Sequence, residues 1–287
     1  MSGIQKNQVW IGRVRLKQYV VALCAIALCA CQDMDAFLAN QQSLEAYQLP
    51  GNSIDVKRLE EVSFKSGEVN LYGYWVQAKP SVSDATTVIY CHGNKHHLDE
   101  YWERVTYLEQ LDVNVLIFDY QSFGKSEGIF SEENLLADAE AALAFVQQRE
   151  DVNTDKIALY GYSLGNVPCI HLASRTGFQP LWLISEAPFA AVDSLVQGSL
   201  SLPLPSGWLT TGTFNNLANI SQINTPYLLF HGGKDDFVRY QDNGQPLFEA
   251  APEPKSLQLV VEANHNDIPE VLGVDHYINL MREFVAP

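Results

Sequence analysis

The stretch that decides the fold is residues 156–165, KIALYGYSLG. Its first half, KIALY, is a short continuous apolar run of the kind that forms a buried β-strand. The second half, Gly161-Tyr162-Ser163-Leu164-Gly165, predicts a sharp turn that leads into a helix. Such a turn strains the backbone of the serine, and glycines on either side avoid collisions with neighbouring backbone. The N-terminal amides of the following helix favour negative charge beside Ser163.

Apolar runs and amphipathic stretches alternate on both sides of this turn. Strands are predicted at residues 59–65, 69–78, 86–91, 113–119, 156–160, 181–185, 226–230 and 256–261. Helices are predicted at residues 98–111, 132–148 and 274–285, and Ser131 is the expected N-cap of the second. The first two strands flank Ser66-Gly67, which predicts an antiparallel hairpin. The pattern indicates one three-layer α/β domain over residues 53–287, with a mostly parallel eight-stranded sheet.

A serine hydroxyl becomes an effective nucleophile only when a histidine, oriented by an acid, takes its proton. In folds with this turn, the acid and then the histidine follow the serine along the chain. Asp235 follows the predicted strand 226–230, and His265 follows the strand 256–261. Both lie beyond carboxyl ends of strands, where ligands collect in open α/β sheets. We therefore expect Ser163, Asp235 and His265 to be catalytic, with the adjacent Asp236 as the alternative acid.

The negative charge that develops during attack by a serine requires two hydrogen-bond donors. The backbone N–H of Leu164, directly after the nucleophile, is the first expected donor. The second is expected in the loop after the third strand, where Gly93 allows a tight path and the N–H of Asn94 is our choice. Three histidines of this loop, His92, His96 and His97, lack a fixed ligand spacing and a carboxylate partner. We therefore predict neither a metal site nor a cofactor.

These motifs together resemble the α/β-hydrolase superfamily. The resemblance rests on residues 91–94 (CHGN), 119–128 (DYQSFGKSEG), 161–165 (GYSLG), 186–189 (EAPF), 231–235 (HGGKD) and 265–267 (HND). It is closest to the lidless branch often labelled serine aminopeptidase-like, which includes eukaryotic protein depalmitoylating hydrolases. It covers roughly residues 55–287 and implies the fold and the triad chemistry, but it does not specify a substrate.

The sequence departs from the family pattern at three positions. Asn166 stands where a small residue is common, Asn264 where glycine often precedes the histidine, and Ser122 where glycine is usual. None of these positions belongs to the predicted triad. Asn166 and Asn264 either add polar contacts near the pocket or cap turns.

A minimal lid is expected between the sixth and seventh strands, at residues 190–225. Pro203, Pro205, Gly207 and Gly212 interrupt this stretch, which is too short for an elaborate cap domain. Phe189 and Trp208 are the candidate substrate-binding residues, at the border of a shallow acyl pocket. An equal alternative is that these apolar residues only cover the sheet.

The N-terminal 30 residues differ in charge from the rest of the chain. They contain four of the 18 basic residues, all before residue 18, and none of the 34 acidic residues, and they end with the apolar run 19–30. This layout is typical of a secretory signal peptide. Residues 28–31 (LCAC) resemble the lipobox of bacterial lipoproteins, in which the last cysteine is lipidated. Ordinary cleavage and an uncleaved anchor are the alternatives to lipidation at Cys31.

The remaining polar residues, 31–52, are interpreted as the lipid-anchor cysteine and a tether. We therefore expect a membrane-anchored lipoprotein of a bacterial cell envelope. Without residues 1–30 the net charge of −16 becomes −20, which disfavours nucleic-acid binding. The two cysteines of the body, Cys91 and Cys169, are interpreted as buried thiols, with a single disulfide as the alternative.

The function expected from these observations is a serine hydrolase that cleaves a small carboxylic ester or thioester through an acyl-enzyme. Two alternatives are a peptidase of the aminopeptidase type and a non-catalytic envelope lipoprotein on the same fold. The oligomeric state is left open by the sequence.

Overall fold

The computed structural model describes residues 39–50, 54–199 and 212–286. The predicted signal peptide 1–30, the lipidation site Cys31 and the candidate substrate-binding residue Trp208 lie outside these ranges. Within them, no helix has the length and apolar character needed to cross a bilayer.

The centre of the protein is a mostly parallel β-sheet. The strands are β1 (Asn40–Gln41), β2 (Leu59–Ser66), β3 (Val69–Val76), β4 (Thr87–Cys91), β5 (Lys95–His96), β6 (Asn114–Phe118), β7 (Ile157–Tyr162), β8 (Leu183–Glu186), β9 (Tyr227–Gly232) and β10 (Lys255–Val260). Eight of them form one sheet in the order β10-β9-β8-β7-β4-β6-β3-β2. The pairs β2–β3 and β3–β6 are antiparallel, and the other described pairs are parallel. The predicted eight-stranded sheet with its antiparallel hairpin is therefore confirmed.

Helices cover both faces of this sheet. The helices are α1 (Trp102–Glu109), α2 (Glu132–Gln147), α3 (Asn166–Ser174), α4 (Val192–Ser199), α5 (Asn216–Ile220), α6 (Gly244–Ala250), α7 (Ile268–Leu272) and α8 (Val274–Val285). Ser131 caps α2 as predicted, because its hydroxyl accepts a hydrogen bond from the backbone N–H of Asn134. The predicted helix 98–111 is shorter than expected: it starts with a 3₁₀ turn at Leu98–Tyr101, and the left-handed Asp112 (φ 60°) turns the chain towards β6.

The central strands separate two hydrophobic cores. All five residues of β4 are buried, and successive side chains point to opposite faces, so that Val88 and Tyr90 join one core and Ile89 and Cys91 the other. Helices α2 and α3 cover the Ile89 side, and helices α1 and α8 cover the Val88 side. Burial on both faces explains why these strands are continuous apolar runs in the sequence. Cys91 and Cys169 are free, buried thiols.

The predicted tether must be corrected for its described part, residues 39–50. Strand β1 pairs in parallel with β5, and the backbone N–H of Leu44 donates to the carbonyl of Gly124 at 2.8 Å. The segment therefore packs along the catalytic domain and does not hold it at a distance. Its polar composition suggested a tether, but main-chain hydrogen bonds do not depend on side-chain type, so composition cannot reveal them.

Candidate active site

The serine of the predicted turn lies where β7 ends. Ser163 has a φ of 51°, a left-handed conformation that costs a non-glycine residue free energy, and a 3₁₀ turn over Ser163–Gly165 leads into α3. A Cβ atom at Gly165 would stand 1.9 Å from the carbonyl oxygen of Cys91, and one at Gly161 would stand 2.8 Å from Oδ1 of Asn166. The predicted strain at the serine and the need for both glycines are therefore present in the structure.

Three side chains that are distant in sequence meet beside this turn. The Nε2 atom of His265 lies 2.9 Å from Oγ of Ser163, and its Nδ1 atom lies 2.7 Å from Oδ2 of Asp235. The loops after β9 and β10 carry Asp235 and His265, and these parallel neighbours end at the same sheet edge as β7. This geometry allows the imidazole to receive the serine proton while the carboxylate fixes its tautomer.

Main-chain hydrogen bonds fix the carboxylate of Asp235. Its Oδ1 atom accepts the backbone N–H of Phe237 at 3.0 Å and of Val238 at 2.7 Å, which leaves Oδ2 for the histidine. His231 supports the same loop, with Nε2 placed 2.7 Å from the carbonyl oxygen of Val238. Burial lowers the pKa of His231 from its ordinary value, so the neutral imidazole is favoured. The alternative acid, Asp236, is exposed.

A groove of about 680 Å³ opens over Ser163 and His265. Asn94 lies on its wall, three residues beyond the end of β4, which pairs with β7 through Cys91 and Gly161. Leu164 directly follows the serine in the turn and is buried. The two residues chosen as oxyanion donors therefore flank the nucleophile from two adjacent strand ends.

Of the two candidate substrate-binding residues, the structure describes Phe189, whereas Trp208 lies outside the described ranges. Phe189 is only 2% exposed and packs in the core, and the described lining of the groove does not include it. This position agrees with the alternative given above, in which the apolar residue covers the sheet, and not with a place at the border of the pocket. The groove wall instead carries the aromatic rings of Tyr101, Tyr162 and Phe237. Within the described residues, no group of three or more potential ligands could hold a metal ion.

Our sequence reasoning missed a buried ion pair beside the groove. The guanidinium of Arg104, on α1, donates to Glu186 from Nε at 3.0 Å and from Nη2 at 2.6 Å. The same group lies 4.0 Å from the ring centre of Tyr162, and Nη2 is 3.3 Å from the carbonyl oxygen of Asn266. Burial alone would lower the pKa of Arg104, but the Glu186 carboxylate raises it well above its ordinary value. The ion pair thus ties α1 and β8 to the loop that carries His265.

One signal of this pair is visible in the sequence. Arg104 shares its face of α1 with Tyr107 and Leu108, which follow at i+3 and i+4 and are both buried. A charged residue on an apolar helix face requires a buried partner of opposite charge. The sequence does not reveal which acidic residue is the partner of Arg104, because Glu186 is 82 positions away.

The three departures from the family pattern all have structural roles. The buried side-chain amide of Asn166 donates to the carbonyl oxygens of Ser163 and Glu186, both at 3.0 Å, and so ties the turn to β8. The side-chain amide of Asn264 donates to Oδ2 of Asp267 at 3.1 Å, beside the bond from its backbone N–H to Oδ1 at 2.6 Å, and both bonds close the histidine loop. Ser122 has a φ of 71°, the backbone conformation in which glycine is usual, and its hydroxyl donates to Oε1 of Gln41 at 2.9 Å.

Comparison with known proteins agrees with this geometry. The family described as serine aminopeptidase, S33, matches residues 83–217. The uncharacterized protein YfhR of Escherichia coli K12 is 27% identical over 281 residues, which span 94% of this chain and 95% of YfhR. The α/β hydrolase domain-containing protein 17B of Xenopus laevis is 30% identical over 202 residues, 70% of this chain and 66% of that protein. The chain belongs to the α/β-hydrolase superfamily.

A solved structure places this hydrolase in the same fold. The Pyrococcus furiosus esterase Pf2001 superposes with a TM-score of 0.68 at 20% identity, over 85% of this chain and 97% of the esterase. At that identity the similarity establishes the fold alone. The antiparallel start, the parallel sheet and the flanking helices are those of an α/β hydrolase.

Proposed function

We propose that this α/β hydrolase is a serine hydrolase that cleaves a carboxylic ester or thioester through an acyl-enzyme on Ser163. The observation that carries the proposal is the chain of contacts from Ser163 Oγ to His265 Nε2 at 2.9 Å and from His265 Nδ1 to Asp235 Oδ2 at 2.7 Å. It is supported by the strained backbone of Ser163, which holds the hydroxyl at the floor of an open groove.

In the proposed reaction, Ser163 Oγ attacks the carbonyl carbon while its proton moves to His265 Nε2. The backbone N–H groups of Leu164 and Asn94 bind the resulting oxyanion. The imidazolium then gives its proton to the departing alcohol or thiol, and the acyl group remains on the serine. Water, deprotonated by His265, attacks the acyl-enzyme and releases the acid. Asp235 accepts the hydrogen bond from Nδ1 of His265 and stabilises the imidazolium.

Covalent labelling tests the nucleophile. A fluorophosphonate probe is expected to label the wild-type protein, and the label is expected to disappear in Ser163→Ala. Ser83→Ala is the matched control, because Ser83 is exposed in a loop that precedes β4. A wild-type protein that takes up no label, or a Ser163→Ala protein that labels as well as wild type, would refute the proposal.

The second candidate is a peptidase, which the description of the matching family favours. An ester has a better leaving group than an amide, so a p-nitrophenyl acyl ester alone does not separate the two activities. Acyl esters and acyl thioesters should therefore be compared with aminoacyl-p-nitroanilides under the same conditions. Turnover of the anilides that exceeds turnover of the esters would replace the esterase proposal with the peptidase. Absence of turnover on every substrate would favour the non-catalytic alternative.

We also propose that the hydrolase is anchored in a bacterial cell envelope through a lipid on Cys31. The basic and then apolar residues before Cys31 support this proposal, as does the net charge of −20 without residues 1–30, which repels anionic head groups. Wild-type protein is expected in the membrane fraction at high salt, and Cys31→Ser is expected in the supernatant. A Cys31→Ser protein that stays with the membrane would contradict lipidation.

A further inference from the structure

The segment from Ala39 to Gln48 precedes the catalytic domain in sequence but runs along its active-site loop. That loop, residues 92–98, carries the proposed oxyanion donor Asn94. Asn40 and Asn94 both lie on the wall of the groove above Ser163. The segment therefore contributes to the site before the first strand of the main sheet begins.

Main-chain hydrogen bonds hold this segment in place. Residues Asn40 and Gln41 pair with Lys95 and His96, and the N–H of Gln42 donates to the carbonyl of His96 at 3.2 Å. On its other side the carbonyl of Gln42 accepts the N–H of Gly124 at 2.9 Å. The side chain of Gln42 is exposed. The residue therefore acts through its backbone, which bridges the active-site loop and the loop after β6.

A second attachment lies further along the segment. The hydroxyl of Tyr47 donates to Oδ2 of Asp119 at 2.6 Å, while Oδ1 of Asp119 accepts the backbone N–H of Leu98 at 2.8 Å. The same Oδ1 atom lies 3.1 Å from Nε2 of the buried His92. Asp119 therefore contacts both ends of the active-site loop, and Tyr47 ties the N-terminal segment to that carboxylate.

The active-site loop contains a strained residue that needs this support. His96 has a φ of 49°, in the left-handed region that is unfavourable for a histidine, and its carbonyl is the acceptor for Gln42. Strained conformations persist where surrounding contacts determine them. We propose that residues 39–48 are a positioning segment, which holds the loop so that the Asn94 N–H faces the developing oxyanion. This inference rests on the proposed function, because it assigns a role in the same reaction.

The experiment compares Gln42→Pro with Gln42→Ala in the full-length chain. Proline removes the backbone N–H that donates to the carbonyl oxygen of His96, whereas alanine keeps this donor. Displacement of a catalytic group by about 1 Å costs about 100-fold in rate, so kcat of Gln42→Pro for a p-nitrophenyl ester is expected to fall by about 10- to 100-fold. KM is expected to change far less than kcat, because the oxyanion forms only in the transition state, and the pH midpoint of kcat is expected to stay at the wild-type value, because the substitution does not touch His265. Gln42→Ala, which keeps the backbone N–H, is expected to have the wild-type kcat.

Rates are expressed per active site, with sites counted by fluorophosphonate titration, so that unfolded protein does not enter kcat. A merely structural role would lower the melting temperature and the number of sites, with kcat per site unchanged, and that result would overturn the inference. Tyr47→Phe gives a second test if the proline variant does not fold: removal of one hydroxyl is expected to lower kcat in the same manner. Wild-type kcat in Tyr47→Phe would then overturn it. An unlabelled wild type would instead refute the proposed function itself.

Discussion

Replacement of Asp235 by asparagine is the sharpest test of the proposed triad. Asparagine keeps an oxygen that can accept the backbone N–H groups of Phe237 and Val238, so the loop is expected to fold as before. Its NH₂ group then faces Nδ1 of His265, which favours the tautomer with the proton on Nε2. That tautomer presents a donor to Ser163 and cannot take its proton.

The size of the effect follows from the 2.7 Å contact between His265 Nδ1 and Asp235 Oδ2. A unit charge pair at that distance of 2.7 Å interacts by about 6 kcal/mol at an effective dielectric constant of about 20. Since each 1.36 kcal/mol is tenfold in rate, this corresponds to about 10⁴ in kcat. Loss of the orienting carboxylate from a Ser-His-Asp triad costs about the same factor. We therefore expect kcat to fall by about 10⁴, with KM little changed.

The assay is steady-state hydrolysis of a p-nitrophenyl ester, with thermal denaturation to verify the fold. Asp236→Asn is the matched control, because it makes the same chemical change at the neighbouring, exposed carboxylate. The control is expected to keep most of the wild-type kcat. A folded Asp235→Asn protein with near wild-type kcat would refute the reasoning, and a large loss confined to Asp236→Asn would make Asp236 the acid.

Three further predictions concern stability. Gly165→Ala places a Cβ atom 1.9 Å from the carbonyl oxygen of Cys91, and backbone cannot yield as a side chain can. We expect the free energy of unfolding from urea denaturation to fall by about 3 kcal/mol, the upper end of the range for overpacked sites. An unchanged urea midpoint would contradict the tight approach. Arg104→Met leaves the buried Glu186 charge without its ion-pair partner and is expected to lower the free energy of unfolding by about 3–5 kcal/mol. The double variant with Glu186→Gln is expected to recover part of that loss. Equal stability of the single and double variants would show that the two charges are not coupled. Burial lowers the pKa of His231, so at acidic pH the unfolded chain binds a proton there that the folded protein does not. As the pH is lowered below about 6.5, the free energy of unfolding of the wild type should therefore decrease relative to that of His231→Gln, by up to about 1.4 kcal/mol per pH unit. Parallel curves of stability against pH for the two proteins would contradict this.

Much of the fold could be read from local patterns. Strands such as β4 and β9 are short apolar runs because they are buried on both faces, and this burial leaves a direct mark on composition. The turn at Ser163 was also predictable, since its glycines stand where a Cβ atom would meet backbone or a buried side chain. Element ends were less exact, because turns such as the one at Asp112 depend on a single backbone angle.

The contacts that the sequence did not reveal join distant segments. The ion pair of Arg104 and Glu186 links residues 82 positions apart, and a single sequence carries no mark of that pairing. The position of Phe189 depends on how the chain turns after β8, which hydrophobicity does not specify. The N-terminal segment was misjudged for a different reason: its attachment uses N–H and C=O groups, which nearly every residue has.

By itself, the sequence determined the strand order along the chain, the strained serine turn and the types of residue that the chemistry needs. The tertiary structure alone decided that Asp235 and not Asp236 lies against His265, and that residues 39–50 pack along the active-site loop. The physical reason is that local patterns record burial and backbone strain at each residue. Direction and distance between segments arise only when the parallel strands bring their ends to one edge of the sheet.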